Sequence, residues 1–188
     1  MPELPLTGPK GAVLAQFRHA AAADVPAIER LIVLSARGLS QGDYSDEQID
    51  AALGSALGVD SQLIRDRTYY VAEAAGGLVA CGGWSWRKTL FGSDHGARQP
   101  ESLDPASEAA RIRAFFVHPD WARQGLGRAL LELCESEARA AGFKQAELMA
   151  TLPGERLYRR CGYAPRPAIE HVLRDGVTIR FVPMVRAL

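Results

Sequence analysis

Between a short apolar run and a longer amphipathic one stands Arg123-Gln124-Gly125-Leu126-Gly127-Arg128-Ala129. No other feature constrains this chain more. The first four N–H groups of a helix have no partner inside it, and the helix dipole adds about half a positive charge there. Glycine carries no Cβ, so a ligand can approach the backbone closely. A helix opening on this turn is therefore an anion site, and a pyrophosphate is its natural guest. Arg123 and Arg128 would add cationic donors. The competing reading is a tight strand-to-helix turn that holds nothing. The segment lacks Gly-Lys-Ser/Thr, so it is not a P-loop. It also lacks the third glycine and flanking βαβ unit of a dinucleotide fold.

The pattern around the turn supplies the elements. Residues 111–117 (RIRAFFV) read as a strand stopped by His118-Pro119-Asp120. Leu126, Leu130, Leu133, Cys134, Ala138 and Ala141 form one helical stripe, and Glu135 and Arg139 make an i,i+4 pair on the other face. Gly142 is the expected C-cap. Upstream, residues 13–18 read as a strand. Asp24 caps a helix that runs to Arg37 and ends at Gly38. Ser45 and Gln48 form a capping box for a second helix. Residues 68–74 and 78–86 are strands around Ala75-Gly76-Gly77. Downstream lie a strand over residues 145–151, a helix over 155–160 ended by Gly162, and a hairpin of residues 169–173 and 177–185 around Arg174-Asp175-Gly176.

This order predicts an α/β chain of the mixed α+β kind, with helices against a mixed sheet rather than a repeating βαβ array. Residues 87–110 lack periodicity and exceed the ~15 residues of an ordinary connection. They are expected to form either a mobile lid over the acceptor side of a cleft, where Asp94, Glu101 and Asp104 could attract a cationic amine, or a disordered insertion with no role. Residues 1–11 read as a disordered leader with no apolar signal core, and residues 12–188 as one domain.

Composition narrows the function. Lys plus Arg and Asp plus Glu both total 22, so there is no basic excess for nucleic acid. No apolar run reaches the ~20 residues that cross a membrane. Cys81, Cys134 and Cys161 are odd in number and widely spaced, which argues against a disulfide framework or a zinc site and fits a reducing cytoplasm. The histidines at 19, 95, 118 and 171 are scattered and suggest no metal.

The segment FFVHPDWARQGLGRALL resembles the GNAT N-acetyltransferases, whose pattern is Gln/Arg-x-x-Gly-x-Gly/Ala after a strand ending in Val-x-Pro. Gly125 and Gly127 match. Ala122 replaces the first Gln or Arg, and Arg123 stands beside it. The resemblance is sharp over residues 111–163. It implies the GNAT fold, a central mixed, mostly antiparallel sheet flanked by helices. It further implies that Arg123, Gln124, Gly125, Leu126, Gly127, Arg128 and Ala129 hold the pyrophosphate of acetyl-CoA, while the backbone of Phe116 and Val117 pairs with the pantetheine arm. The implied activity is transfer of the acetyl group to a primary amine, on a small molecule or a protein, by direct attack in a ternary complex. No nucleic-acid or membrane partner is expected, and homodimer formation stays open.

Leu157-Tyr158-Arg159-Arg160-Cys161-Gly162-Tyr163 resembles the family's Leu-Tyr-x-x-x-Gly-Phe. Tyr158 would then donate to the departing thiolate. The alternative is an aromatic that only packs its helix on the sheet. Tyr163 is expected in the core. Many family members carry a glutamate base near the position of Arg111, which cannot accept a proton. Glu108 and Glu73 are the nearest carboxylates, a water chain is an equal candidate, and the base is left unassigned. Arg111 and Arg113 should share one strand face, opposite Ile112, Ala114 and Phe116, and either contact an acidic substrate or sit at a solvated end. Trp84 and Trp86 either wall a substrate pocket or join the core. Cys161 has no neighbouring histidine and reads as a small hydrophobe, with Cys81 and Cys134 in the core. Two other classes compete. One is a non-catalytic acyl-CoA-binding or regulatory domain on the same fold, and the other is a nucleotide-binding domain with a parallel sheet.

Overall fold

A computed structural model describes residues 3–8, 11–95, 99 and 101–188. Its strands are β1 (Glu3–Gly8), β2 (Gly11–His19), β3 (Tyr69–Ala74), β4 (Gly77–Ser85), β5 (Ala110–Val117), β6 (Gln145–Thr151), β7 (Ala164–Pro165), β8 (Ile169–Val172) and β9 (Thr178–Ala187). They form one sheet in the order β1-β2-β3-β4-β5-β6-β9-β7, with β8 also on β9. Every pairing is antiparallel except that of β5 with β6. The sheet is thus mixed and mostly antiparallel, as the sequence led us to expect. Glu3–Gly8 corrects the leader: it pairs with β2 from Glu3↔Gln16 to Gly8↔Gly11.

The helices are α1 (Val25–Leu39), α2 (Asp46–Ala52), α3 (Ser61–Arg65), α4 (Leu126–Ala140) and α5 (Leu152–Arg160). Alternation along β3 sorts them between the two faces of the sheet. Tyr70 and Ala72 pack in the cluster that contains Leu126, Leu130 and Cys134 of α4. Tyr69 and Val71 pack in the cluster that contains Ile28, Leu31 and Ile32 of α1. The Ser45–Gln48 capping box opens α2 as expected.

Two local expectations fail for packing reasons. Gly38 does not end α1, which continues to Leu39. A Cβ on Gly38 would lie 2.4 Å from the Pro119 ring, so this glycine serves a close approach between elements rather than a stop. Glu135 does not face solvent. It is 1% exposed, and both its oxygens accept from Arg186 at 3.0 Å while Tyr163 Oη donates to Oε1 at 3.0 Å. α4 is thereby tied to β9. α3 is five residues long, too short to give a periodic signal, and starts on Asp60, whose side chain accepts from Gln62 N.

Candidate active site

The parallel pairing covers only Ala110↔Ala146, Arg111↔Glu147 and Ile112↔Leu148. Beyond that point β6 stays with β9 as far as Thr151↔Phe181, and β5 stays with β4. The two strands part and open a cleft of about 740 Å³, within the range of ordinary ligand pockets.

A β-bulge shapes its wall. Two β5 residues, Ala114 and Phe115, stand between the pairs Gly83↔Arg113 and Cys81↔Phe116, where β4 has only Gly82. Ala114 takes φ 55°. Side-chain alternation slips by one there. Ala114 and Phe116 therefore share the α1 face with Arg113, and Phe115 turns to the α4 face. This corrects the expected placement of Ala114 and Phe116 opposite Arg113. A Cβ on Gly82 would lie 2.7 Å from the Phe115 ring, so glycine leaves room for the bulge.

The glycine turn closes one end of the cleft. Arg123 and Gly125 take φ of 65° and 93°, and Gly125 is the N-cap residue of α4. A Cβ on Gly127 would come within 2.9 Å of Leu157, so this glycine admits α5 beside α4. Phe116, Val117, Arg123, Gly125, Leu126, Gly127 and Arg128 line the cleft, and so does Ala122. Val117 N–H donates to the Ser35 hydroxyl at 3.2 Å. Gln124 and Ala129 lie outside the lining. Ala129 N–H already donates to Gly125 O at 2.9 Å. The Gln124 amide clasps β1, accepting from Thr7 N at 2.6 Å and donating to Thr7 O at 2.9 Å. Gln124→Ala removes two hydrogen bonds that hold the turn, each worth about 1 kcal/mol. Weaker anion binding by the isolated protein is the expected result, seen as several-fold poorer retention on immobilised CoA. Unchanged retention would make the clasp a detail of β1 alone.

Thr151 caps α5 by accepting from Gly154 N at 3.3 Å. That cap sets Tyr158 at the cleft, with its ring centroid 6.3 Å from Phe115 and 5.8 Å from Tyr163. Tyr158 is 8% exposed. Among the described residues its hydroxyl has no hydrogen-bond partner. Burial, with Cys134 and Cys161 close by, pushes its pKa well above the usual tyrosine range. The group is therefore a neutral donor.

The remaining candidates fall elsewhere. Trp84 is buried with its ring 6.1 Å from Phe143, Trp86 packs edge-on against Trp84, and neither lines the cleft. Arg111 pairs with Glu147 below the point of divergence. Burial lowers the Arg111 pKa. Arg113 lines the cleft but is 6% exposed and bonded to Asp60 at 2.6 Å, so it braces the start of α3. Glu73 accepts from Arg18 at 2.7 Å and Glu108 from Asp104 N at 2.8 Å, and neither carboxylate lines the cleft. Cys81 and Cys134 are buried, and burial pushes the Cys81 thiol up to about 12.

Of the connection after β4, residues 96–98 and 100 lie outside the described residues. The remainder is anchored. Arg87 forks onto Asp66 at 2.7 and 2.9 Å. Ser93 N donates to Ser55 O, and Asp94 N to Val59 O. Asp94 accepts from Ser61, and Asp104 accepts from Ala106 N and Ser107. Asp94 and Asp104 are engaged locally, and none of Asp94, Glu101 and Asp104 lines the cleft, where they were expected to attract a cationic amine. The same anchoring does bring Leu90, Phe91 and Gly92 to the cleft.

Sequence reasoning missed the wall opposite the turn. Leu57, Leu90, Phe91, Met149 and Phe181 come from four separate parts of the chain, and no local pattern marks them. A parallel strand pair that parts beside a glycine-capped helix start, within a mostly antiparallel sheet, defines a mixed α/β fold with a ligand cleft. The acetyltransferase (GNAT) domain matches residues 65–165, and the chain belongs to that family. No curated protein matches the sequence. Among solved structures, a GCN5-related N-acetyltransferase from Rhodopseudomonas palustris is 19% identical with a TM-score of 0.68, covering 92% of this chain and 95% of its own. The paia N-acetyltransferase of Thermoplasma acidophilum, solved with coenzyme A, is 11% identical with a TM-score of 0.61 over 93% and 99%. The putative acetyltransferase yncA of Salmonella typhimurium, solved with acetyl-CoA, is 18% identical with a TM-score of 0.59 over 93% and 94%. Among the described residues no helix is long and apolar enough to cross a membrane.

Proposed function

We propose that this protein is an N-acetyltransferase that moves the acetyl group of acetyl-CoA to a primary amine by direct attack in a ternary complex. One observation carries this reading: a single cleft joins a helix N-terminus flanked by Arg123 and Arg128 to the unpartnered hydroxyl of Tyr158. The neighbours solved with coenzyme A and acetyl-CoA support it. The first N–H groups of α4 bind the pyrophosphate, with Arg123 and Arg128 adding charge. The bulged end of β5, at Phe116 and Val117, offers backbone groups to the pantetheine arm. Tyr158 donates its proton, or a hydrogen bond, to the sulfur as the C–S bond breaks. The three free cysteines suit a reducing cytoplasm.

Gly125→Val tests the anion site. A valine would be strained at φ 93° by about 1–2 kcal/mol and would place methyl groups where the ligand approaches. Calorimetry should show acetyl-CoA binding weaker by about tenfold or more. Wild-type affinity in this variant would overturn the placement. A non-catalytic binding domain is distinguished by thiol release from acetyl-CoA that no added amine stimulates.

A further inference from the structure

The acetyltransferase reading leaves the acceptor open, and the cleft constrains it. The end away from the glycine turn is walled by Leu57, Leu90, Phe91, Met149 and Phe181. Phe91 lies 5.6 Å from the Phe181 ring and 5.0 Å from His171, which sits behind it. No aspartate, glutamate or histidine lines the cleft, while Arg113, Arg123, Arg128, Arg156 and Arg160 do. The residues outside the described set are Met1, Pro2, Pro9, Lys10, Gly96, Ala97, Arg98 and Pro100, and none of them could add a carboxylate. Asp60 is nearby but bonded to Arg113 at 2.6 Å, and Asp43 likewise to Arg156 at 2.7 Å.

An alkylammonium entering this space would lose its water and meet no counter-ion to offset that loss. It would also find no side chain to take its proton. With a pKa near ~10.4, only about one such amine in 10³ is neutral at pH 7. Both difficulties vanish for an amine that arrives uncharged on an apolar, ring-sized body. We infer that the acceptor is a small aromatic amine, neutral at physiological pH and held against Phe91 and Phe181. Its nitrogen lone pair attacks the thioester carbonyl, so the C–N bond forms and the C–S bond breaks. The nitrogen loses one proton and the sulfur gains one. Tyr158 gives its proton to the sulfur and recovers one from the nitrogen, leaving an N-acetyl arylamine and a free thiol.

The test uses the full chain, acetyl-CoA and a free-thiol readout, with 4-methoxyaniline set against spermidine and Nα-acetyl-lysine methylamide. The expected kcat/KM for 4-methoxyaniline is about tenfold or more above either cation. Leu90→Glu, on the loop wall, should shift the preference toward spermidine by about tenfold. Met149→Glu is the second variant, on β6, should the first not fold. Preference of the wild type for a cationic amine would overturn this inference and leave the acetyltransferase reading standing. A carboxylate variant that folds with its preference unmoved would overturn the assignment of this wall. Thiol release with none of the amines would overturn both readings.

Discussion

Tyr158→Phe is expected to lower kcat by about 10²–10⁴ while acetyl-CoA affinity barely changes. The substitution keeps the ring that packs against Phe115 and Tyr163 and removes only a hydroxyl that has no hydrogen-bond partner among the described residues. The effect should therefore be confined to the departing sulfur. An ordinary phenol near pKa ~10 stands about 2 kcal/mol uphill of a thiol near ~8.5. Burial raises Tyr158 further, which keeps it protonated until the sulfur departs and makes full proton transfer costlier than a hydrogen bond to that sulfur. Pre-steady-state acetylation by rapid quench separates chemistry from product release. An unchanged chemical step would leave Tyr158 as packing alone.

Arg186→Met should destabilise the fold by about 2–3 kcal/mol, measured by urea unfolding. Glu135 is 1% exposed, and Arg186 supplies two of its contacts. Removing the arginine leaves a buried carboxylate with Tyr163 Oη at 3.0 Å and Arg139 at 3.5 Å. The figure lies below that of a wholly stripped ion pair because those two partners remain. The double variant Glu135→Leu, Arg186→Met should lose less than Arg186→Met alone, since no charge is then left buried. A single variant as stable as wild type would show that Tyr163 and Arg139 suffice to hold α4 to β9.

The strands and long helices were legible because their signals are local. The Ser45–Gln48 box, the strand over residues 145–151 and the glycine turn each depend on neighbours within a few positions. β1 was not legible: ELPLTG carries a proline and little β-branching, and its order comes from pairing with β2 and from the Gln124 clasp. Gly38 and Glu135 misled for a related reason. A glycine read as a stop and a glutamate read as solvated were both answering contacts with Pro119 and Arg186, which lie far away in sequence.

Sequence alone determined that a strand leads into a glycine-capped helix, and that a tyrosine follows on the next helix. Those facts rest on backbone chemistry within one turn of chain. Tertiary structure decided where the cleft opens and what borders it. β5 and β6 part after Ile112↔Leu148, while β6 keeps β9 on its other edge through a pairing across thirty or more residues. The bulge at Ala114, which reverses which side chains face the cleft, depends on the single Gly82 opposite. The apolar wall of the cleft gathers residues from a loop, two strands and the connection after β4. Such a wall leaves no periodic trace, because its members are neighbours only after the sheet has closed around them.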